Sequence, residues 1–174
     1  MRAGATVFRQ GERDDAVYRV RSGLLKASYL RPDGRAHIKS FICEGGVIGS
    51  MVSAARGGAC SFTLSALEDT ELTALPYRAL QSAARDDLAI ANALIDFLSG
   101  YAQRKERREY ELLSLSPEDR YARLLSADPA LVSRLTQADI AAHVGITPQA
   151  LSRIKKRRGM RGARPGAPER GSLG

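Results

Sequence analysis

The apolar residues of this chain repeat with two different periods, and the change between them divides it. Through about residue 75 they come in short alternating runs, with Val7, Val17, Val20, Leu24 and Leu25 separated by Gly11, Asp14, Asp15 and Gly23. That is the pattern of half-buried strands. LLKASYL and AHIKSFI flank RPDGR, where Pro32 presets a turn dihedral, Asp33 can bond nearby backbone and Gly34 accepts positive φ, so the two runs predict a hairpin. Glu44, Gly45 and Gly46 make the next corner, and a small-residue stretch, GSMVSAARGGAC, leads to two more strand-like runs, SFTLSAL and TELTAL. Many short strands at this spacing predict an antiparallel barrel or sandwich, of a size that can hold one small ligand.

From Pro76 the period becomes helical. A short helix is expected over residues 76–84, and a long one from about residue 86 to about 113. Along the long helix Leu88, Ala91, Ile95, Leu98 and Ala102 step by threes and fours; the seam is interrupted at Lys105 and Glu109 and returns at Leu112. Ile95, Leu98, Ala102 and Leu112 are therefore candidate dimer contacts, with packing against the chain's own strands as the alternative. Residues 116–119, SPED, carry a capping box with Pro117 at the first helical position. A new helix starts there, and a domain boundary is expected near Leu115. The expected organisation is a β-barrel over residues 1–85, a connecting helix over 86–115, a helical domain over 116–158 and a basic disordered tail over 159–174.

The stretch LTQADIAAHVGITPQALSRIKKRR, from Leu135 to Arg158, reads as two short helices joined by a tight turn. Thr136 caps the first, with Asp139 three residues on; Thr147 caps the second, with Pro148 at its first position. Gly145 supplies the left-handed residue of the turn. Ile140 and Val144 face Leu151 and Ile154, which leaves Gln149, Ser152, Arg153, Lys155 and Lys156 toward solvent or a partner. Tyr121, Leu124, Leu125, Leu131, Val132 and Leu135 can complete a small three-helix core. The arrangement predicts a helix-turn-helix with a polar, cationic second helix.

Charge sharpens this picture. Of the net +8, the first 152 residues carry only +1; from Arg153 onward there are eight Lys or Arg against one acidic residue. Positive charge gathered on and behind a recognition helix points to a phosphate backbone. No apolar run approaches the roughly 20 residues that span a bilayer, and no signal-peptide pattern opens the chain, so a cytoplasmic protein without a membrane partner is expected. Cys43 and Cys60 are lone thiols without metal-ligand spacing, and the two histidines, His37 and His143, do not make a metal site. No paired carboxylates, Ser/His/Asp set or phosphate-binding glycine loop is present, so neither an enzyme nor a bound cofactor is expected.

In this order, strands, long helix and terminal helix-turn-helix, the chain resembles the Crp/Fnr family of bacterial transcription regulators. VFRQGERDDAVYRVRSGLLKASYLRPDGR is similar to that family's opening strands, SFICEGGVIGS and FTLSALEDTEL to its later ones, and LTQADIAAHVGITPQALSRIKK to its DNA-reading motif. The resemblance implies an α+β fold: an antiparallel β-barrel of cyclic-nucleotide-binding-like jelly-roll type, a long dimerisation helix and a small helix-turn-helix domain, here without a clear wing. It implies double-stranded DNA, a second copy of the chain and RNA polymerase as partners. By position, Gln149, Ser152 and Arg153 would read bases, while Thr136, Gln137, Thr147, Lys155 and Lys156 would contact phosphate.

The resemblance also marks departures. The family's start includes a helix before the first strand, and this chain begins almost at the strand, which reads as a shortened start. Members that bind cyclic AMP hold it with a Gly-Glu pair and an Arg-Ser or Arg-Thr pair. The matching positions here are Gly49-Ser50 and Cys60-Ser61, which lack both the acid and the guanidinium. The candidate effector pocket, Gly49, Ser50, Met51, Arg56, Cys60 and Ser61, is therefore expected to take something other than cyclic AMP, or nothing. A ligand-binding module with a vestigial helix-turn-helix, acting through protein contacts, is the alternative reading.

Overall fold

The computed structural model describes residues 1–34 and 36–162, with side chains described through residue 159. Seven strands come first: β1 (Thr6–Phe8), β2 (Ala16–Ser22), β3 (Leu25–Leu30), β4 (Ala36–Ile42) and β5 (Val47–Ile48), then β6 (Thr63–Ala66) and β7 (Glu71–Pro76) after the short helix α1 (Met51–Arg56). They form two antiparallel sheets, β1-β6-β3-β4 and β5-β2-β7. Phe8, Leu25, Ile42, Phe62 and Leu64 of the first sheet and its flanks meet Val20 and Ile48 of the second in one apolar core. Two antiparallel sheets around one core are the barrel-or-sandwich arrangement expected from the alternating runs, within the α+β fold that the resemblance implies.

The β3–β4 hairpin forms as its turn residues predict, with Leu30 opposite Ala36 and Gly34 at φ 77°. Gly23, just before β3, is required twice over. Its φ is +92°, and a Cβ there would lie 2.4 Å from the Asp69 carbonyl oxygen.

Helices α2 (Tyr77–Ala83) and α3 (Leu88–Ser114) follow. The start of α3 is set by Asp87, whose carboxylate accepts from the Ala89 and Ile90 amides. Leu94 and Phe97 of α3 pack on the Val17, Ala54 and Tyr77 cluster, and Tyr101 on the main core. The face held to the sheets is thus one residue round from the seam read in the sequence.

The remaining helices are α4 (Pro117–Ala127), α5 (Pro129–Ser133), α6 (Gln137–Val144) and α7 (Pro148–Gly162). Their apolar core is not the self-contained three-helix core expected. Tyr121, Leu135, Ile140, Val144, Leu151 and Ile154 close over Leu24, which is fully buried, with Phe41, Cys43 and Leu67 of the sheet region packed alongside. A shared core, rather than a linker, joins the helical segment to the sheets. Helix α7 runs four residues past the expected end at Arg158, because nothing from 159 to 162 breaks it as proline would. The rest of the expected disordered tail, residues 163–174, lies outside the described residues.

Candidate nucleic-acid interface

The turn between α6 and α7 is built by the signals that predict it. The Thr136 hydroxyl accepts from the Asp139 amide at 3.1 Å, Gly145 adopts the left-handed conformation at φ 84°, and the Thr147 hydroxyl accepts from the Ala150 amide at 3.2 Å. Pro148 opens α7, where its missing N–H leaves no bond unmade. Leu151 and Ile154 bury one side of α7 against α6. At about 100° per residue, Gln149, Ser152, Arg153 and Lys156 fall together on the opposite side, within an arc of about 100°. All four are exposed. The result is one continuous polar stripe, amide to guanidinium to ammonium, on a helix whose back is fixed.

The residues assigned to phosphate divide into two groups. Thr136 and Thr147 spend their hydroxyls on the helix caps, and Lys155 sits on the flank of α7, donating to the Gln137 side-chain oxygen at 3.0 Å across the turn. Lys156 is exposed on the stripe. Thr136 and Asp139 form only half of the capping box: the carboxylate accepts from the Thr136 hydroxyl and from Lys26 of β3, at 3.0 Å from the latter.

Three arginines hold this unit in place. Arg134 donates to Glu68 at 2.7 Å and to Glu44 at 2.9 Å, holding both carboxylates below their usual range, Glu44 down to about 2. Arg120 of α4 donates to the Val144 carbonyl at 2.8 Å and the Leu115 carbonyl at 2.6 Å. Arg108 of α3 donates to the His143 carbonyl and, at 3.3 Å, to the Ile38 carbonyl. Two cations therefore meet the unpaired carbonyls at the C-terminal end of α6, where the helix dipole favours them. The His143 ring packs on Phe41 with centroids 5.2 Å apart, and burial followed by Arg108 holds its pKa down to about 3, so it is neutral. These arginines are not legible in the sequence: Arg108 and Arg120 hold backbone carbonyls and Arg134 holds two carboxylates, mostly on segments far off in the chain.

The candidate effector residues are only partly brought together. Ser50 and Cys60 are buried, and the Ser61 amide donates to the Ser50 hydroxyl at 3.4 Å. A Cβ at Gly49 would lie 2.8 Å from Val17, Met51 packs on the Val17 cluster, and Arg56 is exposed at the end of α1. A cavity of about 350 Å³ lies elsewhere, between the sheets and α3, with Lys39 and Tyr101 in its wall. The dimer candidates Ile95, Leu98 and Leu112 are 59%, 36% and 39% exposed, and Ala102 is exposed beside them.

Residues 1–87 match the family described as Cyclic nucleotide-binding domain. The nitrogen fixation regulation protein FixK of Rhizobium meliloti (strain 1021) is 27% identical over 161 residues, 87% of this chain and 70% of that protein. Mouse patatin-like phospholipase domain-containing protein 7 is 32% identical over 96 residues, 55% of this chain, and the chain matches only 7% of that protein's length. Among solved structures, FixK2 from Bradyrhizobium japonicum superposes with a TM-score of 0.78 at 24% identity, covering 95% of this chain and 86% of the other. CLP, described as the c-di-GMP responsive global regulator of Xanthomonas campestris, gives 0.76 at 20% identity over 97% of this chain and 89% of its own. Both likenesses run through the helix-turn-helix and are likenesses of fold.

Proposed function

The chain belongs to the cyclic nucleotide-binding domain family and has the fold of Crp/Fnr-type transcription regulators, and from that premise we propose that it is a sequence-specific DNA-binding regulator. It works in the cytoplasm as a homodimer on an inverted-repeat operator. The observation that carries the reading is the exposed stripe on α7, opposite the buried Leu151 and Ile154. A glutamine amide there can pair with adenine N6 and N7, and a guanidinium with guanine O6 and N7. In this reading Gln149 and Arg153 specify bases with help from Ser152, while Lys155, Lys156, Gln137 and the capped helix starts at Thr136 and Thr147 grip phosphate.

The dimer reading is supported by α3, whose inner face is used on the sheets and whose outer face leaves Ile95 and Leu98 in solvent. Two copies of α7 would then enter successive major grooves about 34 Å apart. Residues 1–85 serve as the sensor, 86–115 as the coupling and dimer helix, and 116–158 as the reader, joined by the shared core around Leu24. Cyclic AMP is not the proposed effector, because Ser50 and Cys60 offer neither a carboxylate nor a guanidinium. Selection of bound duplexes from a randomised pool tests the reading: a two-fold symmetric consensus is expected, and recovery of no consensus would refute it.

A further inference from the structure

The cavity between the sheets and α3 is organised around a lysine that the strand register turns inward. In the β3–β4 ladder Ala27 stands opposite Ser40 but Ser28 stands opposite Ile38, so Lys39 is the extra residue of a bulge. A bulge re-aims its side chain. The Lys39 ammonium lies 4.1 Å from the centre of the buried Phe62 ring and 5.3 Å from that of Tyr101 on α3. No described carboxylate pairs with it.

The other charged groups around the cavity are unbalanced. Arg104 and Lys105 of α3 stand exposed at its mouth, and among the described residues Glu109 is the one acidic side chain in its wall. Arg108 is committed to the Ile38 and His143 carbonyls, and burial, then Arg108, lowers the His37 pKa below its ordinary value. Burial, then Lys105 and Arg104, push the Lys39 pKa down to about 8. Such a cluster gains most from a negative charge brought in with an apolar body, which the aromatic walls of Tyr29 and Tyr101 would cover.

We propose that this cavity of about 350 Å³ is a binding site for a small aromatic monoanion, its carboxylate held by Lys39 with Arg104 and Lys105 closing the mouth. Gly49, Ser50, Cys60 and Ser61 take no part in its wall. A ligand seated there touches β4 and α3 together. Because Arg108 of α3 also holds α6, occupancy bears on the element that positions the recognition helix. The inference rests on the reading of the first 85 residues as a sensor, and anion binding and operator binding are measured in separate assays so that the failure of one is distinct from the failure of the other.

Isothermal titration calorimetry on the full chain, with cinnamate, its uncharged amide and cyclic AMP as probes, tests the site. One cinnamate per chain is expected, bound at least about ten-fold more tightly than cinnamamide. Lys39→Met should remove that preference and Arg104→Gln should weaken it, while Arg85→Gln, which removes a distant exposed charge, should leave it unchanged. Arg104→Gln alters an exposed position and decides the question even if Lys39→Met does not fold. The proposal is overturned if cinnamate fails to bind, if acid and amide bind equally, or if either Arg104→Gln or a folded Lys39→Met leaves cinnamate binding untouched. Tighter binding of cyclic AMP, or a dimer that binds no cinnamate because a second copy covers the mouth, overturns it as well.

Discussion

Lys26 on β3 and Asp139 on α6 lie 113 residues apart in the chain and 3.0 Å apart in space. The Asp139 side chain is 11% exposed and its carboxylate also takes the Thr136 hydroxyl, so one acid both finishes the cap of the first helix-turn-helix helix and ties that helix to the sheet. Removing Lys26 leaves a buried charge with half its partners. Lys26→Ala should lower stability by about 1–2 kcal/mol, between the value of an exposed pair and that of a fully buried one. Hydrogen exchange should locate the loss: the amides of α6 should open sooner, those of β2 and β7 should not.

The clamp of Arg134 on Glu44 and Glu68 is an acid-labile tie of the same two regions. Both carboxylates are held below their ordinary value of 4.5, Glu44 down to about 2, first by hydrogen bonds from Arg134. A depressed carboxylate pKa adds stability that is complete above the unfolded value and disappears as pH falls through the folded one. The tie should therefore weaken between about pH 4.5 and pH 2, and Arg134→Ala should move the acid unfolding midpoint upward. All three side chains are partly exposed, so about 1 M salt should shrink the difference between wild type and variant.

His143 acts on the same side of neutrality by a different route. Its folded pKa is lowered from 6.5 to about 3, first by burial and then by Arg108. The unfolded chain takes up a proton there that the folded chain refuses, so stability falls as pH drops from about 6.5 toward 3. His143→Gln should make that slope shallower in denaturant titrations between those limits. His37, lowered in the same sense by burial and Arg108, leaves part of the slope in place.

Lys155 is held by Gln137 at 3.0 Å on the flank of α7, away from the stripe that would face bases. In the proposed complex it neutralises one phosphate on any sequence. Lys155→Ala should thus reduce the salt slope of DNA binding by about one unit for cognate and random duplexes alike. A slope that stays the same would take Lys155 out of the interface.

What could be read from the chain was what local residues determine. The caps at Thr136, Thr147 and Ser116, the glycine turn at 145 and the hairpin at Gly34 each depend on a few neighbouring residues, and all form, although in the boxes expected at Thr136 and Ser116 the Asp139 and Asp119 carboxylates take the cap hydroxyl rather than the cap amide. Helix α5 was missed although Asp128 and Pro129 carry its cap signal, because five residues are too few to show a period. On α3 the sequence showed Leu88, Ile95 and Leu98 but not the adjoining face of Leu94, Phe97 and Tyr101, which packs on the Val17 cluster and the main core. Periodicity gives a seam without saying what meets it. The bulge that turns Lys39 inward and the burial of Leu24 under Tyr121 and Ile140 depend on register and docking between distant segments. No window of neighbouring residues contains either.

Fluorescence anisotropy of the purified full chain on the selected operator, and on a scrambled duplex of equal length, measures the proposed readout most directly when wild type and Arg153→Ala are compared. Two chains should bind each inverted repeat, and the variant should lose about 1–3 kcal/mol on the operator while binding the scrambled duplex nearly as wild type does. Equal losses on both duplexes, or one chain bound per site without symmetry, would contradict the assignment of α7 as the base-reading helix of a dimer.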